Sequence, residues 1–221
     1  MNSIRERLLD AAARVYAETG YRGATTRRIA QEAGVNEITL FRHFGSKTTL
    51  ILEAVRQANL RSDCATVPAS PGEPVSEIKT WVRDELRHLT QLRSIIRTSL
   101  GEVEERPEIL PLIGKKPRDV ILGLSAYVEQ LQAQGRALGD VDARTAALMF
   151  FGTLFADAMG RDVMPELYHD SLDESADRYA TFFLRAIGAA EGTNGGNPTR
   201  AEGQGPRAKG RARGRPLLPA P

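Results

Sequence analysis

Cations, hydroxyls and exposed apolar side chains are concentrated in a short segment near the start of the chain. The stretch from Gly34 to Lys47 reads GVNEITLFRHFGSK, which is too short and too polar for a helix buried in a core. Asn36 and Ser46 each stand just before a helical pattern, as N-cap residues do. We therefore predict a short helix that packs on one side and offers its other side to a partner.

The charges that flank this short helix indicate the chemistry of the partner. Arg27 and Arg28 fall in the first turn of a preceding helix capped by Thr25, and Lys47 falls in the first turn of the following helix. A cation at that place opposes the helix macrodipole by about 0.3–1 kcal/mol. Bound phosphate groups would make these cations favourable, because free backbone N–H groups and cations together form an anion site. A solvated face, where the cost is screened, is the alternative interpretation.

Two helices joined by a tight turn at Gly34 form the pattern of a helix-turn-helix unit. In such units the second helix lies in the DNA major groove, and its first residues meet base edges. Leu40 and Phe44 are four residues apart and would hold this helix to a small core. The side chains left facing outward are Glu37, Ile38, Phe41, Arg42 and His43.

The distribution of charge divides the chain into three parts. The net charge is +3 over residues 1–47, −5 over residues 48–190 and +4 over residues 191–221. Basic ends suit a polyanionic partner, although ordinary surface scatter gives the same signs. The last part is rich in Gly, Pro and Arg and cannot bury enough apolar surface to fold, so we expect a disordered basic tail there. We assign the first part to DNA binding and the second to ligand binding and dimerisation.

Composition also excludes several classes of protein. The single cysteine, Cys64, excludes an internal disulfide framework and a multi-cysteine metal site, and it suits a reducing cytoplasm. We expect no secretory signal, because the N-terminal residues lack a continuous apolar core, and no membrane span, because no apolar run reaches about 18 residues. His43, His88 and His169 are scattered, and no catalytic or nucleotide-binding motif accompanies them. We expect a cytoplasmic protein that is not an enzyme and needs no metal or cofactor.

Helical periodicity dominates the rest of the chain and predicts an all-α fold of about nine helices. The fourth helix should run from Lys47 to Arg61 and lead straight out of the DNA-binding part. A loop with three prolines follows it. Further helices are expected near residues 75–90, 92–104, 116–134, 142–159 and 172–189.

The last two predicted helices carry an apolar surface larger than one core requires. In AALMFFGTLFADAMG, a small residue recurs every four positions at Gly152, Ala156 and Gly160, which permits close approach of another helix. Two such helices from each protomer would form a four-helix interface with two-fold symmetry, although a thick monomeric core is the alternative. The predicted interface comprises Gly152, Phe155, Ala156, Gly160, Leu172, Ala176, Tyr179 and Phe183.

Apolar residues between these two regions predict a ligand cavity. At helical spacing they are also what a plain core requires, so both interpretations stay open. Arg97 and Ser99 lie beside the stripe and could meet a polar group of a ligand. The candidate lining residues are Trp81, Leu92, Ile95, Ile96, Leu100, Leu122, Tyr127, Leu131, Met149 and Thr153.

The segment ATTRRIAQEAGVNEITLFRHFGSKTTL resembles the DNA-binding signature of TetR-type transcriptional regulators. The resemblance covers residues 3 to about 55, and beyond it only the helical architecture is similar. It implies that Thr26 and Arg27 approach the phosphate backbone, and that Lys47 contacts a phosphate. The recognition helix would open with Glu37, Ile38 and Thr39.

One position departs from the pattern of that family. Phe41 stands where Tyr is usual, so a phosphate hydrogen bond is lost and an apolar contact, for instance with a thymine methyl group, remains. The complete set of expected DNA contacts is Thr25, Thr26, Arg27, Arg28, Asn36, Glu37, Ile38, Thr39, Phe41, Arg42, His43 and Lys47.

The sequence as a whole favours a homodimeric regulator that binds double-stranded DNA at an inverted-repeat operator. The resemblance implies a repressor that an unidentified small apolar effector releases from that operator. The alternative is a helical dimeric interaction protein, or an architectural DNA-binding protein without a ligand response. An architectural protein would bind DNA without sequence preference, whereas a regulator would have one tight palindromic site.

Overall fold

The computed structural model describes residues 3–60 and 66–189, and within these ranges every regular element is helical. The predicted all-α fold is confirmed. A single turn of 3-10 helix, Pro107–Ile109, precedes the sixth α-helix. The eight α-helices are α1 (Ile4–Gly23), α2 (Thr26–Glu32), α3 (Glu37–Phe44), α4 (Lys47–Leu60), α5 (Pro74–Glu102), α6 (Leu110–Ala133), α7 (Ala143–Gly160) and α8 (Leu172–Ala186).

Short polar side chains begin the N-terminal helices where the sequence predicts them. The side-chain oxygens of Thr25, Asn36 and Ser46 each accept a hydrogen bond from the backbone N–H three residues later, at 2.8 to 3.2 Å. A cap of this kind satisfies one of the four free N–H groups of a helix start and contributes about 1 kcal/mol. The boundaries of α2, α3 and α4 therefore follow from local sequence.

The turn between α2 and α3 depends on the backbone conformation of Gly34, which has a φ angle of +67°. Its N–H donates to the carbonyl of Gln31 at 3.1 Å, and the N–H of Val35 donates to the carbonyl of Ala30 at 3.0 Å. These two bonds form a Schellman motif, which closes the end of α2 and requires a left-handed residue. The direction in which α3 leaves α2 is thus fixed by one glycine.

Helix α5 differs from the prediction because two expected helices are one. Residues 74–102 form a single helix of 29 residues, since neither Gly nor Pro interrupts the chain near Thr90. The hydroxyl of Thr90 donates to the carbonyl of Leu86 at 2.7 Å, so this polar residue is accommodated within the helix. Helix α6 likewise begins at Leu110 rather than near residue 116, and Pro117 lies inside it.

Two buried apolar clusters form the interior of the described chain. The first joins α1 to α4, and its buried members extend along α4 as far as Val55. The second joins α5 to α8 around Trp81, Leu124 and Phe150. The predicted domain limits at residues 47 and 190 stay predictions, and the predicted tail, 191–221, lies outside the described residues. No helix in the described ranges combines the length and the apolar character needed to cross a membrane.

We predict that Gly34→Ala lowers the free energy of unfolding by about 1–2 kcal/mol, because an L-residue is strained in the left-handed conformation. No steric overlap contributes, since the nearest atom to an added Cβ is Arg7 Nη1 at 3.5 Å. Gly123→Ala is the matched control. Gly123 lies in α6 with nothing within 4 Å, and alanine there should raise stability by about 0.5–1 kcal/mol. Urea unfolding of the two variants would contradict this account if both shifted in the same direction.

Candidate nucleic-acid interface and effector cavity

Helix α3 has a packed side and a free side, as the sequence predicts. Leu40 and Phe44 are buried in the first cluster. Ile38 is 72% exposed and Phe41 is 45% exposed. These two side chains are three positions apart, so they are neighbours on the surface of the helix. Together with the exposed Arg42 and His43 they form the face that a major groove would receive. We call these four residues the recognition face.

The N-termini of α2 and α3 are joined by a hydrogen bond from the Thr26 hydroxyl to the Glu37 carboxylate. The Thr39 hydroxyl is also engaged, because it donates to Asn36 Oδ1 at 2.9 Å. Four of the expected DNA contacts, Thr26, Asn36, Glu37 and Thr39, therefore also hold the helix-turn-helix together. Their positions are fixed before any DNA arrives.

The cations around the recognition face are held in different ways. Arg27 is exposed and makes no ion pair with any described residue, and it lies beside a shallow hollow between α2 and α3. Arg28, in contrast, is directed to α1 through an ion pair with Glu18. The Lys47 ammonium lies 4.2 Å from the centroid of the Tyr21 ring, within the range of a cation–π interaction. Tyr21 thus limits where this ammonium can point.

A polar junction joins the first cluster to the C-terminal end of α5. Glu102 accepts a hydrogen bond from the backbone N–H of Tyr21 at 2.6 Å and another from the Tyr16 hydroxyl at 3.1 Å. The Tyr16 hydroxyl also lies 3.3 Å from Ser99 Oγ. Burial, aided by the charge of Glu102, raises the pKa of Tyr16 to about 12, so the hydroxyl stays protonated and donates. We name Tyr16, Tyr21, Ser99 and Glu102 the head junction.

The head junction was not foreseen from the sequence. Ser99 was expected beside a ligand, but the structure places it against Tyr16, 83 residues away in the chain. Arg97, also expected near a ligand, instead pairs with Asp162. Contacts between residues this far apart have no periodic signal. The acidic end of α5 was interpreted as a solvated helix end, and only its contact with the N–H of Tyr21 assigns it a role.

A cavity of about 430 Å³ lies between α5, α6 and α7, with the end of α4 at one side. This volume is in the range of small-molecule sites. Of the predicted lining residues, Leu92, Ile95, Ile96 and Leu100 are on its wall. The complete lining is Asn59, Glu85, His88, Leu89, Leu92, Ile95, Ile96, Leu100, Leu110, Ile113, Gly114, Lys116, Pro117, Leu148, Phe151, Gly152 and Phe155.

Other predicted lining residues lie elsewhere. Trp81, Tyr127 and Leu131 belong to the buried core of the second cluster, and Leu122 is exposed. Met149 and Thr153 lie on a different side of α7, because each step along a helix turns the side chain by about 100°. Hydrophobic periodicity identified the helices correctly but did not identify the space that each side faces.

A second hollow of about 270 Å³ lies between α7 and α8, on the exposed side of both helices. Met149 is 69% exposed and Phe182 is 74% exposed beside it. We call this the α7–α8 groove. Its lining residues are Val141, Asp142, Thr145, Ala146, Met149, Phe150, Thr153, Tyr179, Phe182, Phe183, Ala186 and Ile187.

The predicted dimer surface is corrected by these positions. Ala176 and Phe183 are buried within the protomer, where the Phe183 ring stacks on Phe150 at 4.1 Å. Gly160 is covered, since an added Cβ would lie 2.7 Å from Tyr168 Cε2. A residue whose surface is already used inside one protomer cannot contact a second copy.

The other predicted interface residues divide among three environments. Gly152 and Phe155 line the cavity. Leu172 is partly buried against the second cluster. Ala156 is exposed, and Tyr179 lines the α7–α8 groove. Phe182 is the most exposed large apolar residue among those described. It was not among the predicted interface residues, because the adjacent Phe183 fits the helical spacing of that set.

Metal chemistry finds no support in the described part of the chain. No group of three or more His, Cys, Asp and Glu residues there could hold an ion. Among the three histidines, His88 lies in the cavity wall, while His43 and His169 are exposed.

Curated relatives match part of the chain. The chain is 28% identical over 138 residues to the uncharacterized HTH-type transcriptional regulator YvkB of Bacillus subtilis, a match that covers 61% of this chain and 71% of that protein. It is 42% identical over 98 residues to the HTH-type transcriptional repressor AcnR of Corynebacterium efficiens, covering 41% and 51% respectively. The match therefore spans about half the length of the AcnR repressor.

Solved structures share the fold across almost their whole length. A transcriptional regulator from Rhodococcus sp. RHA1 superposes with a TM-score of 0.64 at 22% identity, covering 84% of this chain and 98% of that one. The TetR family transcriptional regulator PfmR from Thermus thermophilus superposes with a TM-score of 0.61 at 22% identity, covering 81% and 97%.

A capped helix-turn-helix with an outward recognition face, set on a helical second cluster, defines a helix-turn-helix transcriptional regulator. Residues 8–54 match the family described as "Bacterial regulatory proteins, tetR family". This segment, which contains the helix-turn-helix, is therefore of the TetR type. Its relatives are regulators rather than enzymes, in agreement with the absence of a catalytic motif from the sequence.

We predict that Lys47→Ala weakens binding to all DNA sequences about equally and lowers the slope of log affinity against log salt by roughly one unit, as the loss of one phosphate contact does. Ile38→Ala should instead change the preferred bases and leave the salt slope unaltered. Lys115→Ala, which removes an exposed cation of α6, is the control and should change neither quantity. Altered base preference in Lys47→Ala, with an unchanged slope, would reverse the assigned roles.

Proposed function

We propose that the protein is a repressor that binds an inverted-repeat operator as a homodimer and leaves it when a small, largely apolar effector occupies the α5–α6–α7 cavity. The observation that carries this proposal is the recognition face, where Ile38 and Phe41 are exposed between basic residues. Exposed apolar side chains beside cations are costly on an ordinary surface but suit a groove lined by methyl groups and phosphates. The name of the AcnR relative, a repressor, points the same way.

The α7–α8 groove supports the dimer. Met149 and Phe182 place a continuous apolar surface in solvent, which is typical of an interaction site. A second copy of the chain covers this surface by an isologous contact, in which the same patch from each protomer meets around a two-fold axis. The two recognition faces then address two half-sites of opposite orientation, spaced by whole turns of the DNA.

The head junction offers a route from effector to DNA. Ile95, Ile96 and Leu100 line the cavity and lie in the same two turns of α5 as Ser99 and Glu102. A ligand that displaces this part of α5 therefore acts on Tyr16 and Tyr21 and, through the Tyr21 ring, on Lys47.

The effect of such a ligand has a thermodynamic limit. It lowers operator affinity only by the ratio of its own affinities for the two states of the protein. By linkage, operator DNA weakens ligand binding by the same factor.

Selection of bound sequences from a random DNA pool tests the function directly. We expect one inverted repeat whose half-sites are separated by about one helical turn, because each protomer brings one recognition face. Ile38→Ala should select a different half-site and keep the spacing. A pool that shows no sequence preference would instead establish an architectural DNA-binding protein, the alternative function.

The dimer surface is tested by Phe182→Asp, which places a charge in the middle of the α7–α8 groove. We expect a monomer by sedimentation and a large loss of operator affinity, since burial of an unpaired carboxylate is costly. Leu167→Asp is the matched control, because Leu167 is also exposed but lies in the loop after α7. An unaltered dimer in Phe182→Asp would place the interface on another surface.

A further inference from the structure

The effector cavity has a polar end within an otherwise apolar wall. His88 of α5 and Lys116 of α6 both line it, while the side chains contributed by α7 are all apolar. His88 is only 4% exposed, and its Nδ1 has no hydrogen-bond partner among the described residues. A buried polar atom without a partner loses its water and gains nothing in return, so it is rare in folded proteins. Because His88 lines the cavity, a ligand there lies beside a side chain whose hydrogen-bonding capacity is not used within the described protein.

Lys116 is the charge at this end of the cavity. It makes no ion pair within residues 3–60 and 66–189, whereas its neighbour Lys115 pairs with Asp119. Burial, and after it the positive charge of Lys116, lower the pKa of His88 to about 4. The imidazole is therefore neutral near pH 7, with one N–H to donate, and the ammonium supplies the positive charge.

The two remaining polar residues on the wall each have an interaction within the protein. The amide of Asn59 donates to the carbonyl of Leu112 at 3.2 Å. Glu85, one turn before His88 on α5, has an interaction of its own within the protein. The donors that a ligand can satisfy are thus one neutral imidazole and one ammonium, and they share the wall with the buried Glu85 carboxylate, whose Oε1 accepts no hydrogen bond from a described residue.

We propose that the effector is an amphipathic acid, with an apolar body among the aliphatic and phenyl side chains and one carboxylate that accepts hydrogen bonds from Lys116 and His88. This assignment rests on the proposed function only in taking the cavity as the effector site. An ammonium group has no lone pair, so it satisfies neither donor, and Lys116 repels it even though the Glu85 carboxylate attracts it. A neutral alcohol satisfies His88 but leaves that charge without a counter-ion. A carboxylate has enough lone pairs for both donors, and charge-assisted hydrogen bonds are the stronger kind.

Matched ligands with the same body and different head groups test this chemistry. Calorimetry of the full chain without DNA compares decanoate, decan-1-ol and decylamine. The naphthalene analogues, naphthaleneacetate, naphthaleneethanol and naphthaleneethylamine, repeat the comparison with a rigid body. We expect the acid to bind tightest in at least one series, about ten- to a hundredfold more tightly than the alcohol, the range for a hydrogen bond to a charged group.

Variants then assign the preference to the two residues. Lys116→Met keeps the length of the side chain and should reduce the ratio of acid to alcohol affinity to near one, while Lys116→Arg should retain it. Lys115→Met removes the neighbouring ammonium, which does not line the cavity, and should leave the ratio unchanged. His88→Leu should weaken both the acid and the alcohol. Because the ratio is measured within one variant, a general loss of stability does not imitate the effect.

Several results would overturn the assignment. They are equal affinity for acid and alcohol, tightest binding by the amine, an acid preference that persists in Lys116→Met, and no binding by either acid.

A separate measurement distinguishes this assignment from the proposed function. The same acids are added to the operator complex. An acid that binds through Lys116 but leaves the DNA affinity unchanged would contradict release by an effector and would leave the ligand class intact. Release of DNA by a cavity ligand without a carboxylate would support release by an effector and would contradict the assigned ligand class.

Discussion

The carboxylate of Glu102 is the contact on which the arrangement of the described chain depends. It accepts from the backbone N–H of Tyr21 and from the hydroxyl of Tyr16, and so ties the end of α1 to the end of α5. Tyr16 is fully buried, so its hydroxyl needs an acceptor inside the protein. The first cluster and the second therefore meet through a charged hydrogen bond as well as through the apolar side chains of Ile95 and Leu112, which pack against the first cluster.

Helix α7 has a different environment on each of its sides, which explains why it is apolar nearly all round. Ala147 and Leu154 belong to the buried core, Leu148 and Phe155 line the cavity, and Met149 borders the α7–α8 groove. The core, the cavity and the α7–α8 groove are thus lined by residues one or two positions apart. The environment that a substitution on this helix affects depends on its angular position, not on its hydrophobicity.

The sequence by itself determined the helix-turn-helix almost completely. The caps at Thr25, Asn36 and Ser46 and the left-handed turn at Gly34 act over three or four residues, so their effect is contained in the local sequence. The division of α3 into packed and exposed sides follows from helical period in the same way. Short-range hydrogen bonds and side-chain spacing are the interactions that a reader of the sequence can evaluate directly.

Only the tertiary structure decided what each apolar face contacts. Phe182 and Phe183 are adjacent and equally apolar, yet one is exposed in the α7–α8 groove and the other stacks on Phe150. Gly160 has the spacing of an interface residue but is covered by Tyr168. His88 and Lys116 come from different helices, and nothing in their separation along the chain places them in one cavity. Periodicity specifies that a side is buried, whereas the identity of its neighbour depends on how distant helices pack.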